Sequence, residues 1–129
     1  MAEPEFRYLD KRLDQNVLVL TITAPELCGD ELADAMRQEL LAAVTPSGAQ
    51  KVALDFQQVT YIASPGIRLL LGFRRHFQDM GGKLILCSLN PLITDVLNTA
   101  RLINTTGSSP PALFDTAADV PAGIARLNG

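Results

Sequence analysis

A chain of 129 residues is the size of one compact domain, and its 47% hydrophobic and 19% charged residues can fill a core. The formal net charge of −3 disfavours nucleic-acid binding, which relies on clustered positive charge to neutralise phosphates. No apolar run approaches the roughly 20 residues that span a bilayer, and no secretory signal is recognisable at the N-terminus. We therefore expect one soluble, cytoplasmic domain over residues 1–129, without membrane insertion or direct nucleic-acid binding.

The two cysteines are predicted to be reduced. Cys87 ends the apolar run 84–86, which is typical of a buried strand where a thiol packs as a small hydrophobe. Together with Cys28 and the single histidine, His76, it cannot supply the three or four converging ligands of a zinc site. The same shortage disfavours a Ser-His-Asp or Cys-His arrangement. We expect no metal, no cofactor and no enzymatic activity.

The chain opens with β-structure. Residues 17–23 are rich in β-branched and aliphatic side chains, and the alternating stretch 6–13 can pair with them as a hairpin, so strands are expected within 6–23. From Gly29 the apolar residues recur at every fourth position, which predicts an amphipathic helix that the segment 45–48 breaks. The inward residues of this helix are expected to be Leu32, Met36, Leu40 and Val44.

Strands and helices then alternate. Residues 52–56 predict a strand, and the stretch 62–80 predicts a loop followed by a second helix. A strand is expected at 83–88 and a third helix at 91–102, with Asn90 as N-cap ahead of a first-position proline. The residues expected to face inward are Leu70, Phe73, Phe77 and Met80 in the second helix and Leu92, Val96, Leu97 and Ala100 in the third.

The end of the chain predicts a loop at 104–111, a short strand at 112–115 and a last helix at about 116–127. Pro121 either delays the start of that helix to around Asp119 or distorts its first turn. Strands that alternate with helices pair in parallel through right-handed crossovers, while the opening hairpin adds antiparallel strands. The predicted fold class is α/β: one domain with a mixed, mostly parallel central sheet of about five strands and about four helices.

Ser64, Pro65 and Gly66 form the most informative local motif. A serine ahead of a proline at a helix start can bond the unpaired backbone amides, so the structural interpretation is a helix N-cap. The functional interpretation adds phosphorylation, which would bring about −1.5 to −2 charges to a loop at the carboxyl end of a strand. On the residues alone both interpretations stay open.

The chain resembles the STAS domains of anti-sigma factor antagonists over most of its length. The similarity is carried by residues 52–102, VALDFQQVTYIASPGIRLLLGFRRHFQDMGGKLILCSLNPLITDVLNTARL, and by the earlier segment VLVLTITAPEL. The glycine pair before the strand Lys-Leu-Ile-Leu and the Asn-Pro start of the next helix are also similar to the family. The family's switch loop, Asp-Ser-Ser-Gly followed by Leu or Ile, corresponds to Ala63, Ser64, Pro65 and Gly66 followed by Ile67.

This resemblance implies a bacterial regulatory protein that binds a kinase-type anti-sigma factor, is phosphorylated by it on Ser64, and is reset by a serine phosphatase. Two positions depart from the family pattern. Ala63 replaces the loop aspartate, and Cys28 replaces an acidic residue ahead of the first helix, where Asp30 is a candidate substitute. The residues expected to contact the partner are Ile67, Arg68, Gly72, Arg75 and Asp30, although an exposed helix face can also be merely solvated.

Other functions stay open. STAS-like chains also serve as non-switching subunits, which would use the same helix face to bind a membrane transport system or another scaffold. An intrinsic nucleotide-binding protein is a third possibility, for which only the helix start at Ser64 offers groups that bind phosphate. Asp55 is interpreted as a structural residue, and the loop 104–111 is assigned no role.

Overall fold

The computed structural model describes residues 6–103 and 114–129, so the predicted loop at 104–111 lies outside the described part of the chain. Within that part, four helices and a mixed five-stranded sheet confirm the predicted fold class, and two short strands form a second sheet. The strands are β1 (Leu9–Asp14), β2 (Val17–Ile22), β3 (Glu26–Leu27), β4 (Lys51–Asp55), β5 (Tyr61–Ile62), β6 (Lys83–Cys87) and β7 (Asp115–Ala117). The helices are α1 (Asp30–Ser47), α2 (Ser64–Asp79), α3 (Pro91–Thr99) and α4 (Val120–Asn128).

The five-stranded sheet has the order β1-β2-β4-β6-β7. Strands β1 and β2 form the expected antiparallel hairpin, with Leu9 opposite Ile22. Gln15 and Asn16 connect them with φ angles of 50° and 68°, as a two-residue hairpin turn requires. The other neighbouring strands are parallel, so the carboxyl ends of β2, β4 and β6 lie at one edge of the sheet.

Both faces of the sheet are buried. On β2, Leu18 and Leu20 belong to the larger core cluster, which also contains the buried residues of α1, α2 and α3. Val17 and Val19 point to the opposite face, where they form a second cluster with α4. This two-sided burial explains why β2, β4 and β6 are continuous apolar runs in the sequence.

Helix α1 ends within the predicted breaking segment 45–48, and α2 ends one residue before its predicted bound. Helix α1 continues to Ser47, with Pro46 in its last turn. It ends at Gly48, whose left-handed φ of 63° provides the C-cap. Met80 was expected to face the core, but it lies just past the last residue of α2 and is 39% exposed.

The predicted inward face of α3 is partly wrong. The helix ends at Thr99, so Ala100 lies beyond it and is exposed. Leu92 is 50% exposed, because the core side of α3 is set by Ile93 and Leu97, which lie one turn apart and are fully buried.

The last helix starts late, around Asp119, as the alternative based on Pro121 predicted, and not at about residue 116. Residues 115–117 instead form β7, because they pair in parallel with the edge of β6. The N-cap of α4 is Asp119, whose carboxylate accepts from the Ala122 N–H at 2.9 Å. Pro121 lies in the first turn, where a backbone N–H has no partner within the helix, so that the proline removes no helical hydrogen bond.

Candidate functional site

Ser64 lies where the chain turns from β5 into α2. Strand β5 pairs in parallel with β3, so that Ile62 lies opposite Leu27. The Ala63 N–H extends this pairing by donating to the Leu27 carbonyl at 2.9 Å. This short ladder fixes the backbone immediately before the serine.

Ser64 is not the N-cap of the helix. Ala63 holds that position with an extended backbone, and Ser64 is the first helical residue. No side chain caps this end of α2, whose first turn is closed by a hydrogen bond from the Ile67 N–H to the Ala63 carbonyl at 3.1 Å. Since Ser64 is exposed, its hydroxyl is accessible beside the amino end of the helix.

Gly66 allows the first turn of α2 to pack directly on β3. A Cβ at this position would lie 2.7 Å from the Leu27 carbonyl oxygen and 2.8 Å from the Ile62 Cγ1. Pro65 is half-buried beside it and fixes φ at a value that suits the start of a helix. The contact between α2 and β3 therefore determines where Ser64 is held.

A row of exposed residues runs from Ser64 along α2. Spacings of four and three residues place Arg68, Gly72 and Arg75 on the face that Ser64 occupies, and all four residues are exposed. We call these four residues the α2 stripe. The buried residues of the helix lie on its opposite side: Gly66, Leu69, Leu70, Phe73 and Phe77.

The α2 stripe borders a shallow groove between α1 and α2. The groove has a volume of about 220 Å³ and is lined by Asp30, Ala33, Asp34, Arg37, Pro65, Arg68, Leu69 and Gly72. The Arg68 Nη2 donates to the Asp30 Oδ1 at 2.8 Å and so joins the two helices across it. The two side chains are 65% and 83% exposed, so this ion pair contributes little to stability.

The structure brings together four of the five residues expected to contact a partner. Asp30, Arg68 and Gly72 line the groove, and Arg75 continues the α2 stripe by one turn. Ile67 is half-buried and packs against the core. Helical spacing places it on the flank of α2 that faces away from α1.

The exposure of two apolar side chains near this end of the molecule was not predicted from the sequence. Tyr61 is 45% exposed on β5, and Leu92 is 50% exposed at the start of α3. Asn90 holds α3 next to the loop before β5: its Oδ1 accepts from the Ile93 N–H at 2.7 Å, and its Nδ2 donates to the Val59 carbonyl at 3.2 Å. The predicted cap at Asn90 is thus confirmed.

Exposed aromatic and aliphatic side chains are typical of protein interfaces. A signal for Leu92 was present in the sequence, since Ile93 and Leu97 already account for a buried helical pair and leave Leu92 off that face. No comparable signal marks Tyr61, because a two-residue strand is too short for an alternating pattern.

Asp55 and Cys87 lie side by side at the carboxyl ends of β4 and β6. The Asp55 carboxylate, in a residue only 6% exposed, accepts from the Gln57 N–H at 3.0 Å and from the Thr21 hydroxyl at 3.4 Å. Burial raises the pKa of the Cys87 thiol to about 12, and the nearby carboxylates of Asp55 and Asp119 add to this effect. Cys87 is therefore a neutral core residue, and Asp55 holds backbone and side-chain donors.

In the described ranges, 6–103 and 114–129, no three His, Cys, Asp or Glu side chains are grouped closely enough to hold a metal ion. No helix in those ranges combines the length and the apolar character needed to cross a membrane.

Residues 8–119 match the family model of the STAS domain. BtrV of Bordetella bronchiseptica, described as an anti-sigma factor antagonist, is 31% identical over 64 residues, which are 50% of this chain and 55% of BtrV. Solute carrier family 26 member 10 of Mus musculus is 35% identical over 69 residues, which are 54% of this chain and 10% of that protein. The matched stretches thus span about half of the first relative and about a tenth of the second.

The solved structure of TM1081 from Thermotoga maritima superposes on this chain with a TM-score of 0.78. The superposition covers 96% of this chain and 97% of TM1081 at 14% sequence identity. At that identity the similarity shows a common fold.

Proposed function

The chain belongs to the STAS domain family, and we propose that it acts as an anti-sigma factor antagonist. In this proposal it binds a kinase-type anti-sigma factor in the cytoplasm and is switched by phosphorylation on Ser64. The observation that carries the proposal is the exposed Ser64 at the first position of α2, at the head of the α2 stripe. In the resemblance to the family's switch loop, Ser64 corresponds to the serine that the family phosphorylates.

The local geometry suits a phosphate acceptor. The Ser64 side chain makes no capping hydrogen bond, so phosphorylation does not remove a helix cap. The amino end of α2 carries partial positive charge and unpaired N–H groups, which stabilise a phosphate dianion. A charge change of about −1.5 to −2 at this place alters the surface without requiring the fold to open.

Negative charge is present at this end of the molecule even though Ala63 and Cys28 replace acidic residues of the family pattern. The Cys28 Sγ lies 3.9 Å from the Glu26 Oε2, and Asp30 begins α1. In the proposal the kinase binds the magnesium nucleotide, and this chain supplies only the acceptor hydroxyl and the docking surface. No catalytic step is assigned to this chain.

We assign the docking surface to the α2 stripe and the adjoining groove, with Tyr61 and Leu92 as nearby apolar contacts. Arginine and aromatic side chains make a large share of the binding energy at protein interfaces. A phosphate on Ser64 would have to be desolvated in the bound state, so the modified chain should release its partner. A serine phosphatase would then restore binding.

This assignment is tested by measuring affinity for each kinase-type anti-sigma factor of the source genome by isothermal titration calorimetry. Arg75→Ala should weaken binding by at least about tenfold, which corresponds to about 1.4 kcal/mol. The matched control is Gln78→Ala, because Gln78 is exposed on the same helix but lies toward the opposite flank from the groove. Equal affinities for the two variants would contradict the assigned surface.

The match to solute carrier family 26 member 10 favours a second candidate. Here the chain is a non-switching STAS subunit that binds a membrane transport system or another scaffold through the same surface. Ser64 would then stay unmodified, and binding would not change when a kinase and ATP are added. A stable complex with a detergent-solubilised transport protein, together with unmodified Ser64, would favour this candidate over the first.

A further inference from the structure

We propose that phosphorylation of Ser64 moves Arg68 from the Asp30 carboxylate to the new phosphate, and that this exchange releases the ion pair between α1 and α2. The inference rests on the proposed function in one respect, the identity of Ser64 as the modified residue. It concerns what the phosphate does inside this chain.

The spacing on α2 places the two groups together. Ser64 and Arg68 are four residues apart, so their side chains are neighbours on one helix face, with Cβ atoms about 5–6 Å apart. Helical side chains lean toward the amino end, which directs Arg68 back toward Ser64. Both residues are exposed, so no packed side chain has to move for a phosphate to meet the guanidinium.

The phosphate is the stronger of the two competing partners for Arg68. At present the Arg68 Nη2 donates to the Asp30 Oδ1 at 2.8 Å, in a pair whose side chains are 65% and 83% exposed. Exposed single pairs of this kind are held weakly. A phosphate carries nearly twice the charge of a carboxylate and offers three acceptor oxygens, to which a guanidinium binds in a bidentate manner.

Asp30 can lose Arg68 without being protonated. It is the first residue of α1, where the amino end of the helix stabilises a negative charge. After the exchange, the groove between α1 and α2 would no longer be bridged by Arg68, while the carboxylates of Asp30 and Asp34 would remain in its lining. One modification would thus change both the α2 stripe and the groove, which are the two parts of the proposed docking surface.

The test installs phosphoserine at position 64 by genetic encoding in the full chain, so that no kinase is needed. The second ionisation of the phosphate is followed by ³¹P NMR in the wild type, Arg68→Gln and Asp30→Asn. Arg75→Gln is the matched control, because it removes the same charge from the same stripe three turns from Ser64. The charged groups near this end are Asp30, Asp34 and Arg37 of α1 and Glu26 of β3.

We expect Arg68 to stabilise the dianion and lower the pKa of the phosphate. Arg68→Gln should therefore decrease its second acid dissociation constant by about threefold or more, and Arg75→Gln should change it much less. Asp30→Asn should increase this constant, because it removes the competing carboxylate and a nearby negative charge.

The side-chain ¹⁵N signal of Arg68 provides an independent measurement. In the unmodified chain this signal should shift on Asp30→Asn, and in the phosphorylated chain it should become insensitive to that substitution. Equal effects of Arg68→Gln and Arg75→Gln, or an Arg68 signal that still depends on Asp30 after phosphorylation, would overturn the exchange. Failure of every kinase to modify Ser64 would instead refute the proposed function. It would not affect these measurements, because the phosphoserine is genetically encoded.

Discussion

Alanine at position 66 tests whether the contact between α2 and β3 positions the start of the helix. The added Cβ would meet the Leu27 carbonyl oxygen at 2.7 Å and the Leu27 Cβ at 2.9 Å. Overpacking of a core costs about 1–3 kcal/mol, and alanine recovers about 1 kcal/mol of helix propensity relative to glycine. Since the closest atom belongs to the backbone and cannot rotate away, we take the upper part of the first range and expect Gly66→Ala to lower the free energy of unfolding by about 1–2 kcal/mol.

Gly72→Ala is the matched control in the same helix. Apart from its chain neighbours and the helix's own backbone, no atom lies within 4 Å of its added Cβ, so this substitution should raise the free energy of unfolding by up to about 1 kcal/mol. Urea denaturation followed by circular dichroism measures both changes as shifts of the midpoint at an unchanged slope. A Gly66→Ala midpoint equal to or above that of the wild type would refute the tight packing beneath Ser64.

Three further predictions concern residues around the sheet. Asn90→Ala removes the N-cap of α3 and should cost about 1–2 kcal/mol in the same urea assay, whereas Asn90→Asp, which keeps the cap acceptor, should cost less. Gly123→Ala places a Cβ 2.5 Å from the Cys87 Sγ. It should therefore lower the free energy of unfolding more in the wild type than in the Cys87→Ala variant, where the sulfur is absent. Additive effects of the two substitutions in a double-mutant cycle would argue against this contact. In mildly alkaline buffer, iodoacetamide should alkylate the half-buried Cys28 well before Cys87, because a pKa of about 12 leaves almost no Cys87 thiolate. Equal alkylation rates of the two thiols, measured by mass spectrometry, would contradict the burial of Cys87.

The order of strands and helices could be predicted because the local patterns and the tertiary environment agree. Strands β2, β4 and β6 are buried on both faces and therefore appear as continuous apolar runs. Leu40 and Val44 mark the buried side of α1 by their spacing alone. The alternation of such strands with helices along the chain was enough to predict the fold class.

Features that depend on contacts between distant residues could not be predicted. Strands β3 and β5 have two residues each, too few for a periodic pattern, yet they hold the backbone before Ser64. Serine is a preferred N-cap residue, but the N-cap here is Ala63, whose N–H donates to the Leu27 carbonyl. The helix therefore begins at Ser64, one residue earlier than an N-cap at Ser64 would allow. The ion pair between Asp30 and Arg68 joins residues 38 positions apart, and only the packing of α1 beside α2 brings them together.

The central claim is that Ser64 is the phosphorylated residue of a partner-binding switch. The most direct measurement is intact mass and phosphosite mapping after incubation with each candidate anti-sigma kinase and magnesium-ATP, for the wild type and Ser64→Ala. We predict one phosphate on the wild type, located on Ser64, and none on Ser64→Ala. A complex that forms with the kinase while Ser64 stays unmodified, or a phosphate that persists in Ser64→Ala, would contradict the switch.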